Sequence, residues 1–224
     1  MRGLLPIAFL AACGTSTKST YVETRGFYVT YTIAQRPSGA PLASAEFQVG
    51  DASGTHLELV SGDAVSCDGI PLPPEMSRLY PTYAAEVPAG KPSYAFVLTR
   101  PGEADTAASV AAPPLFVLTS GPLDAGYSAS LTLTWRSGGA TGKVTIKATS
   151  TDVKCQAKTV AEAAPDTGSY VLAASSFLPL DKSKPDCSYV VELTRDEIST
   201  VGAPLAGGKL VSRGVDSTVL HLHP

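Results

Sequence analysis

From Phe27 onward the chain alternates apolar and polar residues with a period of two, a pattern that admits strands with one buried face and little else. In Phe27-Tyr28-Val29-Thr30-Tyr31-Thr32-Ile33, the residues Phe27, Val29, Tyr31 and Ile33 share one face. The same reading gives Ala45, Phe47 and Val49, then Leu57 and Leu59, then Val65 and Cys67. Tyr83, Ala85 and Val87 follow, then Tyr94, Phe96 and Leu98, and a weaker segment over Thr106–Ala111. Turn formers separate these runs: Pro37-Ser38-Gly39, Asp51-Ala52-Ser53-Gly54, Ser61-Gly62-Asp63, Asp68-Gly69 and Pro101-Gly102. Pro113-Pro114 then interrupts the pattern, because a prolyl pair has no N–H to continue a central ladder. Beyond it the alternation resumes, with Leu131, Leu133 and Trp135 on one face, then Val144, Ile146 and Ala148, then Val153, Cys155 and Ala157. Tyr170 and Leu172, then Cys187, Tyr189, Val191 and Leu193, and finally Lys209–Ser212 and Thr218–His223 complete the set. Ala157, Val160, Ala161 and Ala164 also fit helical spacing, so a short helix is the alternative for that stretch.

Short strands at this density predict an all-β chain: two tandem antiparallel immunoglobulin-like β-sandwiches, the first over residues 26–112 and the second over 115–224. A weak internal echo supports tandem copies. Tyr94-x-x-x-Leu98-Thr99-Arg100 and Tyr189-x-x-x-Leu193-Thr194-Arg195 repeat the same pattern one small sandwich apart. With 44% hydrophobic and 17% charged residues, the chain is too apolar to be mainly disordered. A formal charge of −3 offers no basic stripe for nucleic acid. No run of about 18 apolar residues is present, so no membrane-spanning helix is expected.

The first thirteen residues carry an address. Met1-Arg2-Gly3 supplies a positive charge, Leu4 to Ala12 is continuously apolar, and the run ends in Leu10-Ala11-Ala12-Cys13. This order resembles the signal peptide and lipobox of bacterial lipoproteins. The resemblance implies that residues 1–12 are a signal peptide and that Cys13 becomes the diacylglycerol-modified, palmitate-bearing first residue of a membrane-anchored protein. Residues 13–25, opening with Gly14-Thr15-Ser16-Thr17-Lys18-Ser19-Thr20, then read as a flexible tether. No Asp follows Cys13, which fits the cell outer membrane as the destination. Twelve residues is short for such a signal, so a start upstream of Met1 is compatible with it.

Export places the other cysteines in an oxidising compartment. Cys155 and Cys187 fall in the same expected sandwich and point inward by alternation, so a disulfide between them is expected, with Cys67 left as a buried free thiol. There is no Cys-x-x-Cys or Cys/His cluster to suggest zinc, and no cofactor is expected.

The motif with the sharpest chemical appearance is Asp166-Thr167-Gly168, which resembles the active-site triplet of aspartic proteases. It occurs once, so catalysis would require a symmetric dimer, and Ala163-Ala164-Pro165 precedes it instead of an apolar strand. The structural reading is a Pro-Asp-x-Gly turn into a strand at Tyr170, partly matching the Asp-x-Gly-x-Tyr of immunoglobulin-type domains. His221 and His223 share one strand face, as two metal ligands would, but no third ligand is evident; His56 reads as a surface side chain. Asp51 and Asp68 fall at one end of the first sandwich by hairpin counting, a weak calcium pattern, and Lys143, Lys147, Lys154 and Lys158 alternate outward as a positive face. The longest irregular loop of the first half, Pro71–Pro81, offers Pro73, Glu75, Met76, Arg78 and Tyr80 as a contact site. These readings point to a non-catalytic binding or structural protein anchored through Cys13 in the bacterial envelope, with an envelope protein or polysaccharide as partner. The alternative is an envelope hydrolase with a loop-built site, Asp166 being its foremost catalytic candidate.

Overall fold

A computed structural model describes residues 16–75, 80–137, 142–150, 152, 155, 160–177 and 186–224. In chain order its strands are β1 (Thr17–Lys18), β2 (Phe27–Gln35), β3 (Leu42–Val49), β4 (Leu57–Glu58), β5 (Ala64–Cys67), β6 (Ile70–Pro71), β7 (Pro74–Glu75), β8 (Thr82–Glu86) and β9 (Ser93–Thr99). They continue as β10 (Thr106–Ala111), β11 (Leu123–Gly126), β12 (Leu131–Thr134), β13 (Lys143–Thr149), β14 (Val160–Pro165), β15 (Ser169–Leu172), β16 (Cys187–Thr200) and β17 (Gly207–His223). Short 3₁₀ turns are the only helical segments among the described residues.

In the first half, the sheet β2-β3-β8-β7 faces the sheet β10-β9-β5-β6. Taken as A to G along the chain, these are strands ABED and GFCC′, the order of an immunoglobulin-like sandwich. Alternation does what the sequence requires: Phe27, Val29, Tyr31 and Ile33 are all fully buried. Rings dominate this core, Tyr31 stacking on Phe96 at 4.5 Å while Phe47 meets Phe27, Tyr31 and Tyr83 edge-on. In the second half, β14-β13-β16-β17-β11 faces β12-β15, with Leu118 bridged to Trp135 to extend the smaller sheet. Its core gathers Trp135, Ile146, Leu193 and Leu220 beside a disulfide between Cys155 and Cys187.

Residues 17–25 are not a flexible tether as expected: Thr17–Lys18 pairs with Leu57–Glu58, and Ser19 and Thr24 are buried against Arg100, which bonds both. Three further details differ from the sequence reading. The two C-terminal segments are one 17-residue strand, β17, which at about 3.3 Å per residue runs roughly 55 Å. Its start, Gly207–Gly214, pairs in parallel with β2 of the first sandwich, and its end lies in the second. Residues 201–214 therefore do not belong wholly to a 115–224 unit: Leu205 is buried in the first core, with Val201 and Leu210 packed against it. The β16–β17 hairpin of the second sandwich reaches out and adds a strand to the edge of the first. Gly208 permits this approach, since a Cβ there would sit 2.2 Å from the carbonyl oxygen of Val29. At the hairpin's base Arg213 grips Asp196 through two bonds of 2.7 and 2.6 Å, and Arg36 of the first sandwich lies 3.9 Å from Glu192.

The second difference is that Val160–Pro165 forms strand β14 on β13, not a helix, because the Lys143–Ala148 edge is available for pairing over its whole length. The third concerns Leu57 and Leu59, which do not cross the sandwich. Leu57–Glu58 is a two-residue strand alongside β1, so β5 runs back through the molecule one crossing earlier than hairpin counting allows.

Candidate functional site

Asp166 sits in the turn between β14 and β15, where Gly168 has a φ of +91° that favours glycine. The Trp135 N–H donates to the Gly168 carbonyl at 2.9 Å and fixes the turn against β12. The carboxylate is 1% exposed and both its oxygens are engaged. Oδ2 lies 2.7 Å from Nε of Arg195, while Oδ1 accepts from Nη2 of Arg195 at 3.0 Å and from the indole Nε1 of Trp135 at 2.7 Å. The guanidinium in turn lies over the Phe116 ring at 4.7 Å and donates to the Arg136 carbonyl. Oδ1 thus accepts two hydrogen bonds and Oδ2 is in ion-pair contact with the guanidinium, so the carboxylate is buried and held ionised by structural partners instead of being presented to a substrate. The Asp-Thr-Gly turn is a structural clamp joining β12, β15 and β16.

The Tyr-x-x-x-Leu-Thr-Arg echo has a counterpart of this clamp in the first sandwich. Arg100 follows β9, the strand equivalent to β16, and lies over Phe27 at 4.7 Å. It reaches Asp63 at 3.2 Å, Glu103 at 3.2 Å, the Thr24 hydroxyl at 2.8 Å and the Ser19 carbonyl at 3.1 Å.

The histidines line a shallow groove of about 350 Å³ at the far end of the second sandwich, with Asp124, Asp186 and Ser188. β11 brings Asp124 level with His221 by parallel pairing, and β16 brings Ser188 level with it from the other side. Ser188 Oγ lies 2.9 Å from Nδ1 of His221, but Asp124 Oδ1 lies 3.0 Å from Nδ1 of His223. Serine and acid thus serve different imidazoles, and no Ser-His-Asp relay is assembled. Among the described residues no three His, Cys, Asp or Glu side chains are placed to hold a metal. Sequence reading put the two histidines on one face but missed Asp124 and Ser188, because the pairings that deliver them join segments about 100 and 30 residues away.

The remaining candidates disperse. Asp51 follows β3 at the Phe27 end of the first sandwich and folds onto its own loop, accepting from the Ser53 N–H at 2.8 Å and hydroxyl at 2.6 Å. These bonds hold its carboxyl below the ordinary aspartate range. Asp68 follows β5 at the opposite end, so it does not pair with Asp51 as a calcium site would require; its partners are Lys91 Nζ at 2.9 Å and the Ala95 N–H at 3.0 Å. Lys143 and Lys147 are exposed on β13, but Glu192 is the cross-strand neighbour of Lys147 and breaks the positive face. Lys154 and Lys158 lie outside the described residues. In the proposed contact loop, Pro74–Glu75 becomes edge strand β7, Pro73 is exposed, and Tyr80 stacks on His56 at 4.0 Å. Met76 and Arg78 lie outside the described residues, as does Cys13. Cys67 is buried and free, and burial, with the neighbouring Asp68 charge, pushes its thiol up to about 12.

No family model and no curated protein matches the sequence. Solved structures do match over 88% of the chain. A tri-modular GH5 (subfamily 4) endo-beta-1,4-glucanase from Bacillus licheniformis complexed with cellotetraose has 12% identity and a TM-score of 0.29; this chain spans 39% of that chain's length. DIP-gamma IG1+IG2 has 9% identity, a TM-score of 0.24 and 95% of its chain covered. The I9–I11 tandem from titin has 12% identity, a TM-score of 0.25 and 65% of its chain covered. Such distant likenesses carry nothing about activity, so the functional reading rests on the residues.

Proposed function

We propose that the protein is a non-catalytic binding or structural element of the bacterial cell envelope, anchored through a lipid on Cys13. One observation carries the non-catalytic part: Asp166, the residue with the best motif for acid chemistry, spends both carboxylate oxygens on Arg195 and Trp135. The strand shared by both sandwiches supports a rigid spacer, since β17 pairs with β2 at one end and β11 at the other. Because Thr17–Lys18 is already paired with β4, only a few residues separate Cys13 from the first sandwich, which suits a two-module protein that presents a surface at a set distance from a membrane. The envelope location and the outer-membrane destination rest on the Leu10-Ala11-Ala12-Cys13 sequence. Metabolic labelling with a fatty-acid probe tests them. Wild type incorporates the probe and fractionates with membranes, whereas Cys13→Ala loses the label and turns soluble. Undiminished labelling of Cys13→Ala overturns the anchor.

A further inference from the structure

The two sandwiches treat the outer edge of their G strand differently. In the second, β17 is flanked at Leu220–His223 by β11, four residues running parallel to it. In the first, the G strand is β10, and among the described residues no strand pairs with its outer edge. The other outer strands of the two large sheets carry proline or charge: β6 ends in Pro71, β7 is Pro74–Glu75, β14 ends in Pro165 and β11 carries Asp124. Proline lacks the N–H that a further strand needs, which is how sheets commonly discourage edge pairing. β10 reads Thr106-Ala107-Ala108-Ser109-Val110-Ala111, with neither proline nor charge.

Beside this open edge stands one face of the β16–β17 hairpin. The register pairs Glu197–Ser212 and Ser199–Leu210 put those four side chains together, and with Val110 and Ala111 they line a slot of about 240 Å³. Ser212 is 4% exposed, yet its hydroxyl has no hydrogen-bond partner. A buried hydroxyl is ordinarily paired, and unlike the other unpaired hydroxyls, of Tyr31 and Thr82, this one lines the slot. Glu197, at the rim, forms no ion pair among the described residues.

We propose that this slot is a strand-acceptor site: an extended peptide segment of a partner protein adds in parallel along β10, as β11 does along β17. Its backbone bonds the free edge of β10, a polar side chain meets Ser212 Oγ, and a lysine or arginine meets Glu197. Small or β-branched residues suit the remaining space, because Val110 and Leu210 form its apolar walls. The proposal deepens the binding half of the reading above and is independent of the lipid anchor.

The test uses a phage-displayed random heptapeptide library selected on the detergent-solubilised full chain. Enriched peptides should carry a basic residue and slow hydrogen exchange across Thr106–Ala111. They should lose at least tenfold in affinity for Glu197→Lys and for Ala111→Trp, two exposed changes whose unaltered Tm confirms folding. Failure to enrich, protection elsewhere, or either variant binding the peptides as tightly as wild type overturns the proposal. So does a concentration-dependent dimer that itself protects β10, since a second copy is then the occupant. If solubilised envelope material is still captured equally by wild type and Ala111→Trp, the binding role stands without this slot; if nothing is captured by either, that role falls too.

Discussion

Both sandwiches place the arginine of the Tyr-x-x-x-Leu-Thr-Arg segment over a phenylalanine ring, Arg100 over Phe27 of β2 and Arg195 over Phe116 of the segment before β11, each at 4.7 Å, yet they recruit the acid from different places. In the first, Asp63 precedes β5 and is assisted by Glu103 and Thr24. In the second, Asp166 comes from the turn before β15 and shares its carboxylate with the Trp135 indole. The cation is carried by the Tyr-x-x-x-Leu-Thr-Arg segment and the ring by the chain at the start of each module; the counter-charge is whatever neighbouring loop arrives there. A buried guanidinium costs several kcal/mol in desolvation, so some carboxylate must meet it, but the fold does not dictate which.

The largest expected effect follows from that asymmetry. Asp166→Ala leaves Arg195 buried without its anion and should cost about 3–5 kcal/mol. Asp63→Ala should cost roughly half as much, because Glu103 and Thr24 still hold Arg100. Urea denaturation of the two variants decides it; equal losses would show that the helper groups around Arg100 contribute nothing.

The sulfurs give the next contrast. The Cys155–Cys187 bridge closes a loop with a sequence separation of 32, and on the chain-entropy model replacing both by alanine should cost about 3–4 kcal/mol. The Tyr189 hydroxyl donates to the Cys155 carbonyl and keeps that turn in place beside β16. The first sandwich holds its lone Cys67 as a small apolar filler in an aromatic core. In a Cys13→Ala chain, Cys67 should therefore resist Ellman's reagent at pH 8 until the protein unfolds, burial having raised its thiol to about 12. Rapid labelling of the native chain would show that the first core opens.

What the sequence discloses differs in kind between fold and site. Strand faces are legible because burial on one side of a sheet imposes a period of two, and Phe27 to Ile33 obey it without exception. The inward direction of Cys187 was likewise readable, although Cys155 reaches it from a turn rather than a strand. The shared strand was not readable, because alternation looks the same on either side of Gly214, where β17 leaves β2. Nor was the fate of Asp166: a triplet names the acid, but its partners come from β16 and from the residue after β12, and nothing local announces pairing across about 30 residues. The strand-acceptor slot is similarly silent, since β10 looks like any weak strand until β11 shows how the other module closes the same edge.

The smallest effect separates Asp51 from Asp68. Burial disfavours the Asp68 charge, but the Ala95 N–H and the Lys91 ammonium outweigh it, and the carboxyl is held below its ordinary value. A depressed carboxyl contributes stability that is fully present above the unfolded value of about 3.9 and is lost as pH falls through the lower folded value. Lys91 is substantially exposed, so solvent screens the pair and the contribution should be only about 1 kcal/mol. Wild type should therefore exceed Asp68→Asn by that amount at pH 6, with the gap shrinking below pH 4 and vanishing near pH 2. Asp51, bonded only within its own exposed loop, should give an Asp51→Asn variant of nearly unchanged stability. A gap for Asp68 that stays constant down to pH 2 would mean that the side chain acts through the shape of its turn, where φ is +50°, and not through its charge.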